Sequence, residues 1–324
     1  MTLVDALCGH DDPVVAFRAR RLLAQESEGA PAMQRLRRAI GASTMAKQLL
    51  KGLRPARLNP YRKWQGPHWT LYSLAEIGFP PGDAALIPLR ERVMEWMFAP
   101  KFLKPPSTLL IPAQPERPRR CASMEGNTIW SQLRLGLVDE ARVPLLVDRL
   151  LAFQWPDGGW NCDKRPGART SSVQETLLPL RGLAQWARTT GDARAGKAAR
   201  AAAEFLLTRR LLWRQRDGHL ITPEWGGPVD LVHYPIRFYD VLSALVVMTE
   251  LGLVRDRRCD DALALLETKR RADGTWAVEW TNVKQADHVV SRGTWANWGP
   301  LRKTQGNPLV TIDALHVLRA AGRT

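Results

Sequence analysis

Paired cysteine chemistry is the first thing this sequence leaves out. Its four cysteines (Cys8, Cys121, Cys162 and Cys259) lie far apart and include no CxxC pair. Long apolar runs are missing too. The most apolar stretch, Val241 to Met248, falls far short of the about 20 residues that a membrane span requires. The opening MTLVDALCGHDDPVV lacks the charged-then-apolar layout of an export signal, so a cytoplasmic protein with reduced thiols is expected. No segment sustains the apolar–polar alternation of a strand. Acidic residues are the minority, 32 against 47 Lys and Arg, for a formal net charge of +15. That surplus favours anionic partners such as a diphosphate, an acidic membrane face or nucleic acid. The basic residues are also scattered without a polybasic tail, which is the pattern of ordinary solvated helix faces. Tyrosine (4) and phenylalanine (7) are outnumbered by 13 tryptophans, an excess that asks for a reason.

What is present is a repeat. Five segments share one plan: a polar or aromatic opening, an apolar helical stretch, then a turn. They run from Gly66 to Asp83, Cys121 to Glu140, Thr170 to Asp192, His233 to Asp256 and Gly306 to Gly322. Their spacing is roughly 50 to 70 residues, with insertions. Amphipathic helices alternate with them at Ala85–Phe98, Ala141–Gln154, Ala195–Trp213 and Arg258–Arg270, apolar at i, i+3, i+4 and i+7. Two of these lead into matching loops, Gln154 to Asp163 and Lys269 to Glu279, each an Asp-Gly turn followed by Trp. A less typical N-terminal pair, Pro13 to Gln25 and Pro31 to Leu53, raises the total to about six hairpins in a single domain spanning 1–324, with repeats over 54–324. The stretches Leu53 to Lys63 and Lys101 to Arg120 read as long surface loops.

The loop Gln154, Asp157, Gly158, Gly159, Trp160, with a degenerate copy at Asp273, Gly274, Trp276, resembles the QW-type repeat of squalene-hopene cyclases and the related repeat of protein prenyltransferase beta subunits. The wider pattern (EGN before a helix, Pro223 to Trp225, HYP before a helix, and a C-terminal TIDALHVLR) is similar to a bacterial squalene-cyclase-like group over roughly residues 60 to 324. The resemblance implies an all-α, alpha/alpha toroid (barrel) whose inner helices line a central cavity. It implies a lipophilic prenyl substrate, with a diphosphate or acidic head group held by basic rim residues. Three family signatures are absent: the DxDD acid, the DDxxD diphosphate motif and the Asp-x-Cys zinc pair.

In such a toroid the inner helices would bring their opening turns to one rim. His233, Arg237 and Asp240, spaced i, i+4 and i+7, are expected on one face of the fourth inner helix, as an acid with its neighbours or as a structural ion pair. Glu125 and Glu175, one turn into their helices, are either substitute proton donors or simple helix-dipole partners, Ser123 offering Glu125 a capping box. The candidate catalytic set is therefore Asp240, Glu125, Glu175 and His233. Substrate would be gripped by Trp64, His68, Trp69, Tyr72, Asn127, Asp163, Tyr234, Arg237, Trp295 and Trp298. Trp295 and Trp298 belong to a loop that is either a lid or hairpin-end packing, while Trp160 and Trp276 read as structural. The cofactor stays open, zinc and magnesium included. Cys162, Asp163 and His233, with Cys121 or His68, are the zinc candidates. The alternative function is a helical-repeat protein binding nucleic acid or an acidic partner on an open basic face. A monomer or homodimer is expected, with shallow membrane contact through Phe98 to Leu110 as an option.

Overall fold

The computed structural model of the protein describes residues 1–54, 57–223, 226–235 and 239–323, with the backbone alone at 106. Helix accounts for 51% of the described residues. Among the described residues there are thirteen α-helices: α1 (Leu3–Cys8), α2 (Pro13–Leu22), α3 (Pro31–Ala42), α4 (Thr44–Leu49), α5 (Pro67–Ile77), α6 (Ile87–Met97), α7 (Ala122–Arg134), α8 (Val143–Ala152), α9 (Val173–Thr190), α10 (Ala193–Leu207), α11 (Val241–Glu250), α12 (Asp260–Thr268) and α13 (Pro308–Ala321). The strands are minimal. An antiparallel pair joins β1 (Leu110–Ile111) to β2 (Gln114–Pro118), and a parallel pair joins β3 (Lys284–Gln285) to β4 (Gly293–Thr294). None of the helices is long and apolar enough to cross a membrane, among the described residues.

Local chemistry sets most of these starts. Asp12 accepts the Val14 N–H and Pro13 takes the first helical position of α2. Asn307 does the same for α13 through the Leu309 and Val310 N–H groups, ahead of Pro308. Asp192 caps α10. Gly78 ends α5 at φ 79°, and a side chain there would also strike the Phe17 ring.

Two kinds of helix alternate. All of α5 is buried, as are most of α7, the first eleven residues of α9, and nearly all of α11. By contrast, α6, α8, α10 and α12 bury one side only. The wholly buried helices pack in succession, α5 on α7, α7 on α9, α9 on α11, and α11 on α13. The last of them, α13, packs on α2. Phe17 and Arg18 then carry α2 onto the end of α5. The α7–α9 crossing is the tightest, because Gly126 and Gly182 let the two backbones meet.

The two Asp-Gly-Trp loops are built alike. Trp160 Nε1 donates to Leu150 O (2.9 Å) and Trp276 Nε1 to Leu266 O (2.8 Å), each ten residues upstream on the preceding outer helix. Trp160 N reaches Thr176 Oγ1 at 3.2 Å and Trp276 N reaches Thr311 Oγ1 at 3.0 Å. The structural role read for these tryptophans is what the geometry gives them.

Three boundaries differ from the sequence reading. The fourth inner helix begins at Val241, not His233, because Asp240 is its N-cap, accepting the Ser243 N–H at 2.6 Å. Pro31 to Leu53 is broken at Ser43, whose hydroxyl caps α4. The supposed loop from Lys101 to Arg120 contains the β1–β2 hairpin, and its exposed apolar residues are Leu103 and Leu110.

Candidate functional site

The first turns of α5, α7 and α9 lie side by side, and three features of the sequence put chemistry there. Pro67 opens α5, so His68 and Trp69 follow in its first turn. Cys121 stands at the N-cap of α7. Glu175 is in the first turn of α9, but its Oε2 accepts the Ser123 N–H of α7 at 3.0 Å. Its Oε1 accepts from the Cys162 thiol at 3.5 Å. Cys121 and Cys162 are neighbours here, since Arg120 N donates to Asn161 O at 2.8 Å and Arg119 Nε donates to Cys162 O at 2.6 Å. Burial pushes the Glu175 carboxyl up, with the Ser123 and Cys162 donors opposing. Tyr61 and Lys63 are close enough to feel the Glu175 charge, and Arg292 is close to Lys63.

An aromatic cluster surrounds the start of α5. Tyr61 stacks on Trp96 (centroids 5.6 Å, 16°) and tilts against His68 and Trp69 at 5.6 and 5.4 Å. Trp64 meets Trp69 edge-on at 4.5 Å, and Trp69 leads to Tyr72 and Tyr72 to Trp130 at 6.2 and 5.8 Å. Asn127 Nδ2 donates to His68 Nε2 at 2.9 Å, leaving His68 Nδ1–H to face Thr128 Oγ1 at 3.3 Å. Burial lowers the His68 pKa to about 3, so the ring is neutral. Trp69 Nε1 and Asn127 Oδ1 are buried without partners among the described residues. Such groups in an apolar setting are what a bound ligand would satisfy.

Other predicted residues have different employment. Glu125 does not form a capping box with Ser123; it is ion-paired to Arg120 and to Arg149 Nη2 (3.0 Å). Asp240 receives the His233 N–H at 2.7 Å besides that of Ser243, so both its oxygens serve backbone. His233 lies in a loop and its ring rests on Trp280 at 4.5 Å, with Nδ1 3.8 Å from Asp240 Oδ2. His233, in a loop, and Asp240, at the N-cap of α11, do not share a helical face, and Arg237 lies outside the described residues. Trp225 of the Pro223 to Trp225 segment also lies outside them. Asp163 turns to Arg165 through a bidentate pair at 2.6–3.0 Å.

The zinc set is therefore dispersed: Cys162 sits against Glu175, His233 against Trp280, and Asp163 against Arg165. Among the described residues no three His, Cys, Asp or Glu side chains gather as a metal site. Trp295 Nε1 donates to Gln65 O and Trp298 Nε1 to Thr294 Oγ1, both at 2.9 Å. Tyr234 meets Trp298 edge-on at 5.7 Å. Of the two readings of that loop, hairpin-end packing over the start of α5 fits these bonds.

Sequence reasoning missed the ion network between α2, α5, α9, α11 and α13. Arg18 donates to Glu76 O (2.9 Å) and pairs with Glu76 and Asp313. Arg181 bonds Glu76 Oε1 at 2.5 Å and Glu250 at 2.7 and 2.8 Å, with its guanidinium 3.8 Å above the Trp130 ring. The signal was there: Arg18 and Asp313 are lone charges in apolar runs, VVAFRA and TIDAL. Two surface clefts, of about 410 Å³ beside Arg209, Arg210 and Trp213 and about 360 Å³ beside Leu3, Arg270 and Leu315, take in none of the predicted site residues.

No family model matches the chain, and no curated protein or solved structure matches it significantly.

Proposed function

We propose that the chain is an α/α toroid of the squalene-cyclase and prenyltransferase-like kind, an enzyme acting in the cytosol on a lipophilic, prenyl-type substrate. The carrying observation is Glu175, a fully buried carboxyl raised by burial, whose charge is felt by Tyr61 of the aromatic cluster. The alternation of buried and half-buried helices, and the contact of α13 with α2, support a closed ring over an open basic arc.

In this reading protonated Glu175 gives its proton to a carbon–carbon double bond of the substrate. The electron pair of that bond forms the new C–H bond and leaves a carbocation, which the faces of Trp64, Trp69 and Tyr72 stabilise. The proton released when the product alkene forms returns to the Glu175 carboxylate. Lys63, Arg119 and Arg292 supply the positive charge near the cluster that an acidic head group needs.

The test is incubation of the purified protein with squalene and with C15 to C30 prenyl alcohols and diphosphates, products being read by gas chromatography and mass spectrometry. Turnover of one of them, reduced about 100-fold or more by Glu175→Gln, is the expected result. Turnover unaffected by Glu175→Gln overturns the role of Glu175, and no turnover or binding of any of them overturns the substrate class.

A further inference from the structure

Two of the four cysteines, Cys121 and Cys162, are neighbours although 40 residues separate them in the chain: Arg120 N donates to Asn161 O at 2.8 Å, Arg119 Nε to Cys162 O at 2.6 Å, and Glu175 accepts from both the Cys162 thiol and the Ser123 N–H. Their surroundings are unequal. Cys121 stands at the N-cap of α7, a helix of thirteen residues, where the unpaired first-turn N–H groups favour a thiolate. Arg119 and Arg120 flank it. With the Cys162 thiol beside it, Cys121 is held below the ordinary thiol range in spite of burial, with Glu175 opposing. Cys162 lies in the loop after Trp160, against Glu175 Oε1, and is held up by the neighbouring Cys121 sulfur and by burial. Both side chains retain some exposure, so a small reagent can reach them.

We infer that Cys121 and Cys162 form a thiol–disulfide exchange site, Cys121 the attacking thiolate and Cys162 the resolving thiol, whose substrate is a small disulfide. The Cys121 sulfur attacks one sulfur of RSSR, forming a Cys121–S–S–R mixed disulfide and expelling RS⁻. Cys162 then attacks the Cys121 sulfur and expels the second RS⁻, its proton passing to that thiolate by way of the Glu175 oxygen to which it already donates. The balance is two protein thiols and RSSR giving one protein disulfide and two RSH. Electrons flow from the protein to the small disulfide, and a dithiol reductant returns them. In a reducing compartment a disulfide of this kind is transient, which fits a catalytic or sensing role better than a structural one. The inference stands on the two thiols alone and does not depend on Glu175 acting as an acid on a prenyl substrate.

The experiment uses the full chain and glutathione disulfide, followed by alkylation and mass spectrometry under non-reducing conditions. Wild-type protein is expected to lose two thiols and yield a peptide pair crosslinked between Cys121 and Cys162. Cys162→Ser should stop at a glutathione adduct on Cys121, and Cys121→Ser should give neither product. Before oxidation, Cys121 should alkylate about tenfold faster at pH 7 than Cys8 or Cys259. The wild-type crosslink needs no variant and so is independent of any folding defect; Cys162→Ala provides a second trap should the serine perturb the loop. A protein that stays fully reduced, or that is glutathionylated without the Cys121–Cys162 crosslink, overturns the inference. So does an adduct that in Cys162→Ser falls mainly on Cys8 or Cys259.

Discussion

Gly126 on α7 lies against Pro179 on α9 with no room for a side chain between them, and Gly182 faces the Gly126 carbonyl in the same way. Gly126→Ala should therefore destabilise the protein by about 3 kcal/mol, since backbone must move to admit the methyl group. Gly196→Ala on α10 is the control: its new methyl would make ordinary contact with Ala187 Cβ and the Arg200 guanidinium, both at 3.6 Å, and should be neutral or stabilising by up to about 1 kcal/mol. Urea denaturation of both variants measures the contrast, and equal behaviour would refute the crossing.

Because Trp160 and Trp276 make the same bonds, replacing either by Phe should do similar damage. Each variant takes the indole donor away from a carbonyl near the end of an outer helix, Leu150 O or Leu266 O, and leaves a small void. A loss of about 2–4 kcal/mol is expected for each, the two agreeing within about 1 kcal/mol. Thermal unfolding of the pair is the check, and one neutral variant would break the equivalence.

Arg18→Met should cost about 3–5 kcal/mol, because Asp313 then keeps its buried charge without the guanidinium. Adding Asp313→Leu should recover much of the loss. A double variant no better than the single one would mean that Arg18 acts through packing alone.

Acid should act through His68. Its folded pKa of about 3 lies below the ordinary histidine value of 6.5, so the unfolded chain takes up this proton first as pH falls. Stability from this group is complete above pH 6.5 and is lost down to about pH 3, by about 1.4 kcal/mol per pH unit. His68→Gln should flatten that part of the pH–stability curve. Parallel curves for the two proteins would show that His68 is not held neutral.

Helix order, the alternation of buried and amphipathic helices, and the two tryptophan turns were legible because each rests on local pattern: apolar periodicity and Asp-Gly chemistry. The start of α11 was not. His233, Arg237 and Asp240 have helical spacing, but Asp240 gains more by accepting N–H groups at a helix end than by lying on its face. Glu175 was read as one carboxylate among three; nothing in the sequence said that Glu125 would be taken by Arg120 and Arg149. The meeting of Cys121 with Cys162 depends on loops from different repeats, and spacing carries no record of it.

The contact between α2 and α13 has a temporal side. Arg18 and Asp313 are 295 residues apart, so at about 5–20 residues per second the first waits roughly 15–60 s for the second to be synthesised. For that interval the face of α2 that carries Arg18 has no α13 to cover it. A linear array of helix pairs can settle as it leaves the ribosome, each pair on the one before. A chain whose last buried helix packs on one of its first completes its interior only after α13 has emerged, and until then it depends on whatever shields nascent apolar surface in the cell.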